Sequence, residues 1–289
     1  MYKQIATNKR NTVFIMLFFV VLIGIIGAIF AFIFQDWWVE LYILIIAIIY
    51  ALFQYFAASS LAVAMTGAKE IQKKDNPKLY NAVESLSLTA GLPMPKVYII
   101  DDSAPNAFAT GRDPKHAIVA ATTGLLDIMD KNELEAVMAH ELSHIKNYDI
   151  RVSMITFGLV CLVGFISDIG LRMLWYHDDD DRSPVGAVII LVTSIFAPLA
   201  ASLAQLAVSR EREYLADASA AHLTRYPEGM ISALKKLDTH GRPMRRQNAA
   251  TEALYINAPL KKNSIANLFS THPPIEKRIE RLENAKHSF

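Results

Sequence analysis

The chain reads as a mainly α-helical membrane protein whose polar part is an α+β domain with a small β-sheet. Three broad observations predict this. Apolar residues make up 53% of the 289 positions and the mean hydropathy is +0.25, both high for a soluble protein. Four apolar runs, 13–34, 41–58, 152–173 and 185–207, have the length a membrane helix needs and come in two pairs. The polar segments between and after the pairs carry both helical and strand periodicity.

The first pair begins behind Lys3, Lys9 and Arg10 and turns through Gln35 to Glu40, where Trp37 and Trp38 suit a membrane interface. Lys69, Lys73, Lys74 and Lys78 follow the second run, and the connecting turn has no Lys or Arg. The positive-inside rule therefore puts the N-terminus and the segment after residue 58 in the cytoplasm. The chain divides into an N-terminal hairpin (1–60), a first polar part (61–151), a second hairpin (152–207) and a second polar part (208–289). A formal net charge of +1 gives no electrostatic case for nucleic acid, and the single cysteine, Cys161, excludes an internal disulfide and a cysteine-based zinc finger.

In the first polar part, Pro77 to Ala90 has the spacing of an amphipathic helix, with Leu79, Val83, Leu86 and Leu88 apolar and Gly91 as its stop. Lys96 to Ile100 reads as a strand. Asn106 to Thr110 and Ala117 to Ala121 read as two more, joined by a Gly- and Pro-containing link. A helix from about Asn132 to Asn147 comes next, with Asp130 and Glu133 spaced as a capping box. Its apolar positions Leu134, Val137, Met138 and Leu142 mark a buried face. On this helix stands His140-Glu141-x-x-His144. Residues four apart lie about 5–6 Å from one another on one face, so both imidazoles can grip one metal ion while Glu141 reaches a water at its flank. Two histidines and an adjacent carboxylate base make a zinc hydrolase site, commonly a metalloprotease. The bland alternative is a polar helix with two surface histidines.

The third apolar run ends near Trp175 and Tyr176 and contains Asp168, which reads as reaching water at the outer end of the span. The acidic run Asp178 to Asp181 reads as a solvated outer loop, and Pro198 as a kink in the fourth run. The fourth helix continues into Ser209 to Ala218. A catalytic zinc takes three protein ligands. Glu213 and Asp217, four apart, could supply one ligand and one acceptor for the far nitrogen of a ligand histidine. Spacing alone does not choose Glu213 over Glu211, and an ion-paired solvated face has the same pattern.

His140-Glu141-x-x-His144, two apolar spans, and then Ser209-Arg210-x-x-Glu213-Tyr214-x-Ala216-Asp217 resemble the HtpX-type membrane zinc metalloproteases, relatives of the CaaX prenyl endopeptidase in the Glu-zincin class. Asn106-Ala107-Phe108-Ala109-Thr110-Gly111 and Ser270-Thr271-His272-Pro273-Pro274 are also similar to that family. The resemblance spans the whole chain. It implies a zincin-like catalytic domain with one Zn²⁺ held by His140, His144 and Glu213, and Asp217 as partner to a ligand histidine. It also implies His272 near the metal as a donor to the oxyanion. The same resemblance implies a bacterial cytoplasmic (inner) membrane, a stress response, and protein quality control acting on misfolded membrane proteins or unfolded polypeptides.

The mechanism expected is zinc-assisted peptide hydrolysis with Glu141 as proton carrier. An extended substrate would add as a strand along Asn106, Ala107, Phe108, Ala109, Thr110 and Gly111. His144 lies eight residues before the third run and Glu213 six after the fourth. Unbroken helices would hold the metal roughly 9–12 Å above the hydrocarbon edge. Pro227 to His240 and Ile275 to Lys286 read as helices, and Arg242 to Asn263 as a long loop, mobile or covering the cleft. His116, His222, His240 and His287 have no partner at ligand spacing. Two other readings stand beside the protease: a CaaX-type processing enzyme for lipidated peptides, and a non-catalytic scaffold with a structural zinc. Nothing in the sequence speaks to oligomeric state.

Overall fold

The computed structural model describes residues 2–159, 161, 210–246, 254–256 and 273–285. Most of the third and all of the fourth apolar run lie outside these, as do Asp168, the 178–181 acidic run and His272. Among the described residues two helices are long and apolar enough to cross a membrane.

These are α1 (Tyr2–Phe34) and α2 (Trp38–Thr66). In α1 the buried side chains Asn8, Thr12, Ile15 and Phe19 are spaced by four, three and four, which is one stripe of a helix, and Ala31 is buried near its far end. In α2 the buried stripe is mostly small, Ala47, Ala51, Gln54, Ala58, Ala62 and Thr66, so neighbouring backbones can come close. Large apolar side chains cover the outside of the pair from Val13 to Phe32 on α1 and from Leu41 to Leu61 on α2. A continuous exposed apolar belt of that size has no place in water and fits the acyl chains of a bilayer. The 29 residues of α2 extend about 43 Å, well over the ~30 Å of hydrocarbon. The helix runs on past Ala58 and ends at Gly67, whose φ of 71° forms a left-handed cap with its N–H donated to Val63 O.

The four-stranded sheet has the order β1-β2-β4-β3, with β1 at Lys69–Glu70, β2 at Lys96–Ile100, β3 at Ala107–Gly111 and β4 at Ala117–Thr122. β2 and β4 are parallel, β3 runs antiparallel to β4 as an edge, and a 3₁₀ turn at Pro114–His116 joins β3 to β4. The two-residue strand β1 and the short helix α4 (Thr123–Ile128) are additions to the sequence reading, both too brief to show a period. Side chains alternate between two cores. Val97, Ala107, Ala109, Val119 and Ala121 face α3 (Pro77–Ala90), α5 (Lys131–Lys146) and α7 (Pro227–His240). Tyr98, Ile100, Phe108, Ile118 and Ala120 face the end of α2, residues 152–159 and residues 254–255. The membrane hairpin is thus packed onto one face of the sheet.

Of the expected 242–263 loop, Met244, Leu254, Tyr255 and Ile256 are buried. Tyr255 meets Phe108 edge-on at 5.4 Å, and Ile256 N–H donates to Ala107 O at 3.0 Å. This part of the segment is core, not cover. The chain after α5 also departs from the expected continuous helix. Residues 147–148 form a turn with Tyr148 at φ 61°, and helix resumes at 149. The unbroken helix behind the expected height of the metal above the membrane is therefore not present. α6 (Arg210–Thr224) packs along α5, and α8 (Ile275–Ala285) closes over α6 and α7.

Candidate metal centre

α5 is started by a full capping box. Asp130 Oδ1 accepts from Glu133 N at 2.9 Å, and Glu133 Oε2 accepts from Asp130 N at 2.8 Å. The same Glu133 binds α7 through Ser232 Oγ (2.6 Å) and Lys236 Nζ (2.7 Å), so the helix start is fixed to its neighbour. Two and three turns on, His140 Nε2 and His144 Nε2 lie 3.2 Å apart with their rings nearly perpendicular. Glu213 enters from α6, with Oε2 3.6 Å from His140 Nε2 and Oε1 3.5 Å from His144 Nε2. One ligand atom from each of the three residues falls within a span of 4.8 Å.

The far nitrogens of both rings have carboxylate partners. Asp217 Oδ1 is 3.0 Å from His140 Nδ1, and Asp149 Oδ2 is 3.0 Å from His144 Nδ1. Each carboxylate draws the ring proton to Nδ1 and leaves a lone pair on Nε2. Two lone pairs and a carboxylate then converge on one buried point, a donor set that fits a tetrahedral cation of the zinc type. Burial by itself would favour neutral His140, but Asp217 and Glu213 outweigh it and hold its proton up to about 9. A bound cation must displace that proton. Burial pushes Asp217 up, and Arg278 more than reverses this, holding it below the usual carboxylate range. Arg278 is 1% exposed and its Nη1 also lies 3.8 Å from Glu213 Oε2.

Glu141 is buried beside these groups, near enough to Arg278 for its charge to help keep that guanidinium protonated. Asn106 is buried, with its N–H donated to Thr122 Oγ1 and its Oδ1 accepting from Ala107 N. Asn106 and Thr122 form a bonded pair with β4, so the alternation of an antiparallel ladder turns the backbone groups of Ala107, Ala109 and Gly111 to the outer edge. His116 pairs with Asp113 at 2.8 Å, away from the cluster. Glu211, which spacing could not separate from Glu213, is exposed and lies 3.5 Å from Arg281.

Sequence reading missed Asp149 and Arg278. Arg278 had a signal: Ile275, Ile279 and Leu282 define the apolar stripe of α8, and position 278 falls within it. A charge in a buried phase calls for a buried partner. Asp149 had none, because its return to His144 depends on the left-handed turn at Tyr148.

Residues 73–286 match the family described as Peptidase family M48. A Tropheryma whipplei (strain Twist) protein named Protease HtpX homolog is 54% identical over 291 residues and covers 100% of both chains. Another of that name from Streptococcus gordonii is 46% identical over 294 residues, covering 98% of this chain and 99% of its own. Among solved structures, the crystal structure of S. mikatae Ste24p superposes with a TM-score of 0.52 at 20% identity, over 90% of this chain and 61% of that longer one, a likeness of fold. With its histidine pair, its facing glutamate and its apolar hairpin, the chain belongs to peptidase family M48 and is a membrane metalloprotease.

Proposed function

We propose that the protein is a zinc endopeptidase that hydrolyses unfolded or misfolded membrane proteins at the cytoplasmic face of a bacterial inner membrane. One observation carries the proposal: His140, His144 and Glu213 converge on a single buried point with Glu141 adjacent on the same helix. Zinc held there supplies Lewis acidity toward the scissile carbonyl and a water of lowered pKa. Glu141 accepts a proton from the attacking water and passes it to the leaving amine. Asp217 and Asp149 keep both imidazoles in the Nδ1–H tautomer throughout. Arg278 offsets part of the negative charge of Glu213, Glu141 and Asp217 and so makes their burial together less costly.

The substrate is read through its backbone. The outward N–H and C=O of Ala109 and Gly111 offer a short edge for an extended peptide, and Ile256 already occupies the O of Ala107. A short backbone edge favours loose sequence preference. The cytoplasmic orientation is supported by Lys3, Lys9 and Arg10 before the first span and four lysines after the second. The site is assembled from residues on both sides of 152–207, which we read as a second hairpin inserted in the catalytic domain.

The test is zinc content and cleavage of an unfolded test protein by detergent-purified wild type and Glu141→Gln. Both should hold one zinc per chain and only the wild type should cleave. Cleavage by Glu141→Gln at the wild-type rate would remove Glu141 from the mechanism. Stoichiometric zinc with no cleavage by either would move the assignment to lipidated peptides or to a scaffold.

A further inference from the structure

The turn that follows the metal helix is held from outside the polar domain. Five residues of continuous helix advance about 500°, which would leave Asp149 roughly 140° around the axis from His144. Asp149 reaches His144 across a break in the helix at residues 147–148, where Tyr148 adopts φ 61°. That conformation is unfavourable for a non-glycine residue and needs support from its surroundings.

The support comes from α1. Asn8 Nδ2 donates to Asn147 O at 2.8 Å and to Asp149 Oδ1 at 2.7 Å, across 139 and 141 positions of sequence. Both partners are acceptors, so the amide orientation is fixed and both of its hydrogens are used. The next residue, Lys9, places Nζ 4.5 Å from the centre of the Tyr148 ring, whose other cationic neighbour is Arg151 at 4.9 Å. Asn8 is 1% exposed and lies ahead of the exposed apolar belt that starts at Val13. Burying an amide there is costly unless it is bonded. The bonds it makes hold one oxygen of Asp149 and leave the other to accept from His144 Nδ1.

We propose that Asn8 is a positioning residue of the metal centre: by clamping Asn147 and Asp149 it orients His144, so the N-terminal membrane helix is a working part of the hydrolytic site as well as its anchor. The inference rests on His144 being a metal ligand. Asn8 touches no ligand atom and acts through Asp149. Removing the amide leaves Asp149 Oδ1 to a longer contact with Arg212 Nη1 at 3.6 Å, so the carboxylate is held less firmly, the corner can relax toward helix, and His144 is oriented less strictly.

The test uses the full chain in detergent, with zinc affinity from chelator competition and the visible spectrum of the cobalt-substituted protein as readouts. Asn8→Leu keeps the volume and removes both donors, and Asn8→Ala serves if the larger side chain prevents folding. Zinc affinity should fall about tenfold, the low end for loss of an outer partner of a ligand histidine. The cobalt spectrum should change, and kcat should fall with KM unaltered. Asn8→Asp, which sets a carboxylate against Asp149, should lose more. Ile15→Ala, on the same stripe two turns away, should leave affinity and spectrum as they are. Wild-type affinity and spectrum in a folded Asn8 variant would overturn the proposal, as would an equal loss in Ile15→Ala. His144→Ala separates the two levels: if it too keeps wild-type affinity, the ligand assignment has failed, and if it alone loses zinc, only the role of Asn8 has.

Discussion

Arg278 grips both oxygens of Asp217, with Nε at 2.9 Å from Oδ2 and Nη2 at 2.6 Å from Oδ1, although 61 residues separate the two. The pair is almost fully buried and stands directly behind His140. A bidentate fork locks the carboxylate in plane, and the locked carboxylate in turn fixes the ring. The C-terminal helix α8 thereby supports the cluster of His140, His144 and Glu213, whose residues lie on α5 and α6.

Arg278→Met should therefore be costly. It leaves Asp217 buried without its cation, a loss of about 3–5 kcal/mol for a broken buried pair. Arg278→Lys retains the charge but not the fork, and should keep part of the stability while still weakening the metal. Thermal unfolding in detergent and zinc stoichiometry measure the two effects. Arg278→Met/Asp217→Leu should recover stability without recovering zinc affinity.

Glu211 and Glu213 separate cleanly. Glu213→Ala removes a carboxylate facing both imidazoles and should abolish stoichiometric zinc. Glu211→Ala breaks only an exposed contact with Arg281 and should change stability by under ~1 kcal/mol with zinc retained. Zinc content by atomic absorption decides between them. Chelation of the wild type should lower its unfolding temperature, and added zinc should restore it.

What the sequence discloses here depends on how local the cause is. His140 and His144 share a face by helix geometry alone, whatever the helix packs against. Pro77 and Gly91 bound α3, and Pro227 and Gly241 bound α7, because each breaker acts on its own residues. Asp149 is different, since its position hangs on a positive φ at Tyr148 that a tyrosine does not advertise. Asn8 and Arg278 fall between the two cases. Each occupies a buried phase of an apolar stripe, which says that a polar partner exists without saying which one. The sheet order, with β4 between β2 and β3, is set by long-range pairing and has no local trace.

The outer edge of β3 offers a direct test of backbone recognition. Ala109 N–H points away from β4, so Ala109→Pro removes a donor from the edge without breaking the ladder. Peptide cleavage should fall with zinc content retained, beyond any loss of stability from the larger ring at this buried position. Phe108→Pro, which removes a ladder bond and a buried ring, should instead destabilise the protein outright. Unchanged cleavage by Ala109→Pro would exclude strand addition at this edge.

Acid should act on the start of the metal helix through Glu133. Burial would raise its pKa, but Lys236, Ser232 and the N–H of Asp130 together lower it below the ordinary value of 4.5. The folded state thus binds this proton more weakly than the unfolded state. The stability Glu133 supplies is complete above pH 4.5 and is lost as pH falls through the lower folded value. Glu133→Gln keeps the capping-box geometry but loses the charge facing Lys236. It should be less stable than the wild type by about 2 kcal/mol at pH 7, the scale of a hydrogen bond to a charged group. Because the wild-type carboxylate becomes neutral in acid, the two unfolding curves should converge as pH is lowered below 4.5. A gap that stays constant across that range would mean that the Glu133 charge does not hold α5 against α7.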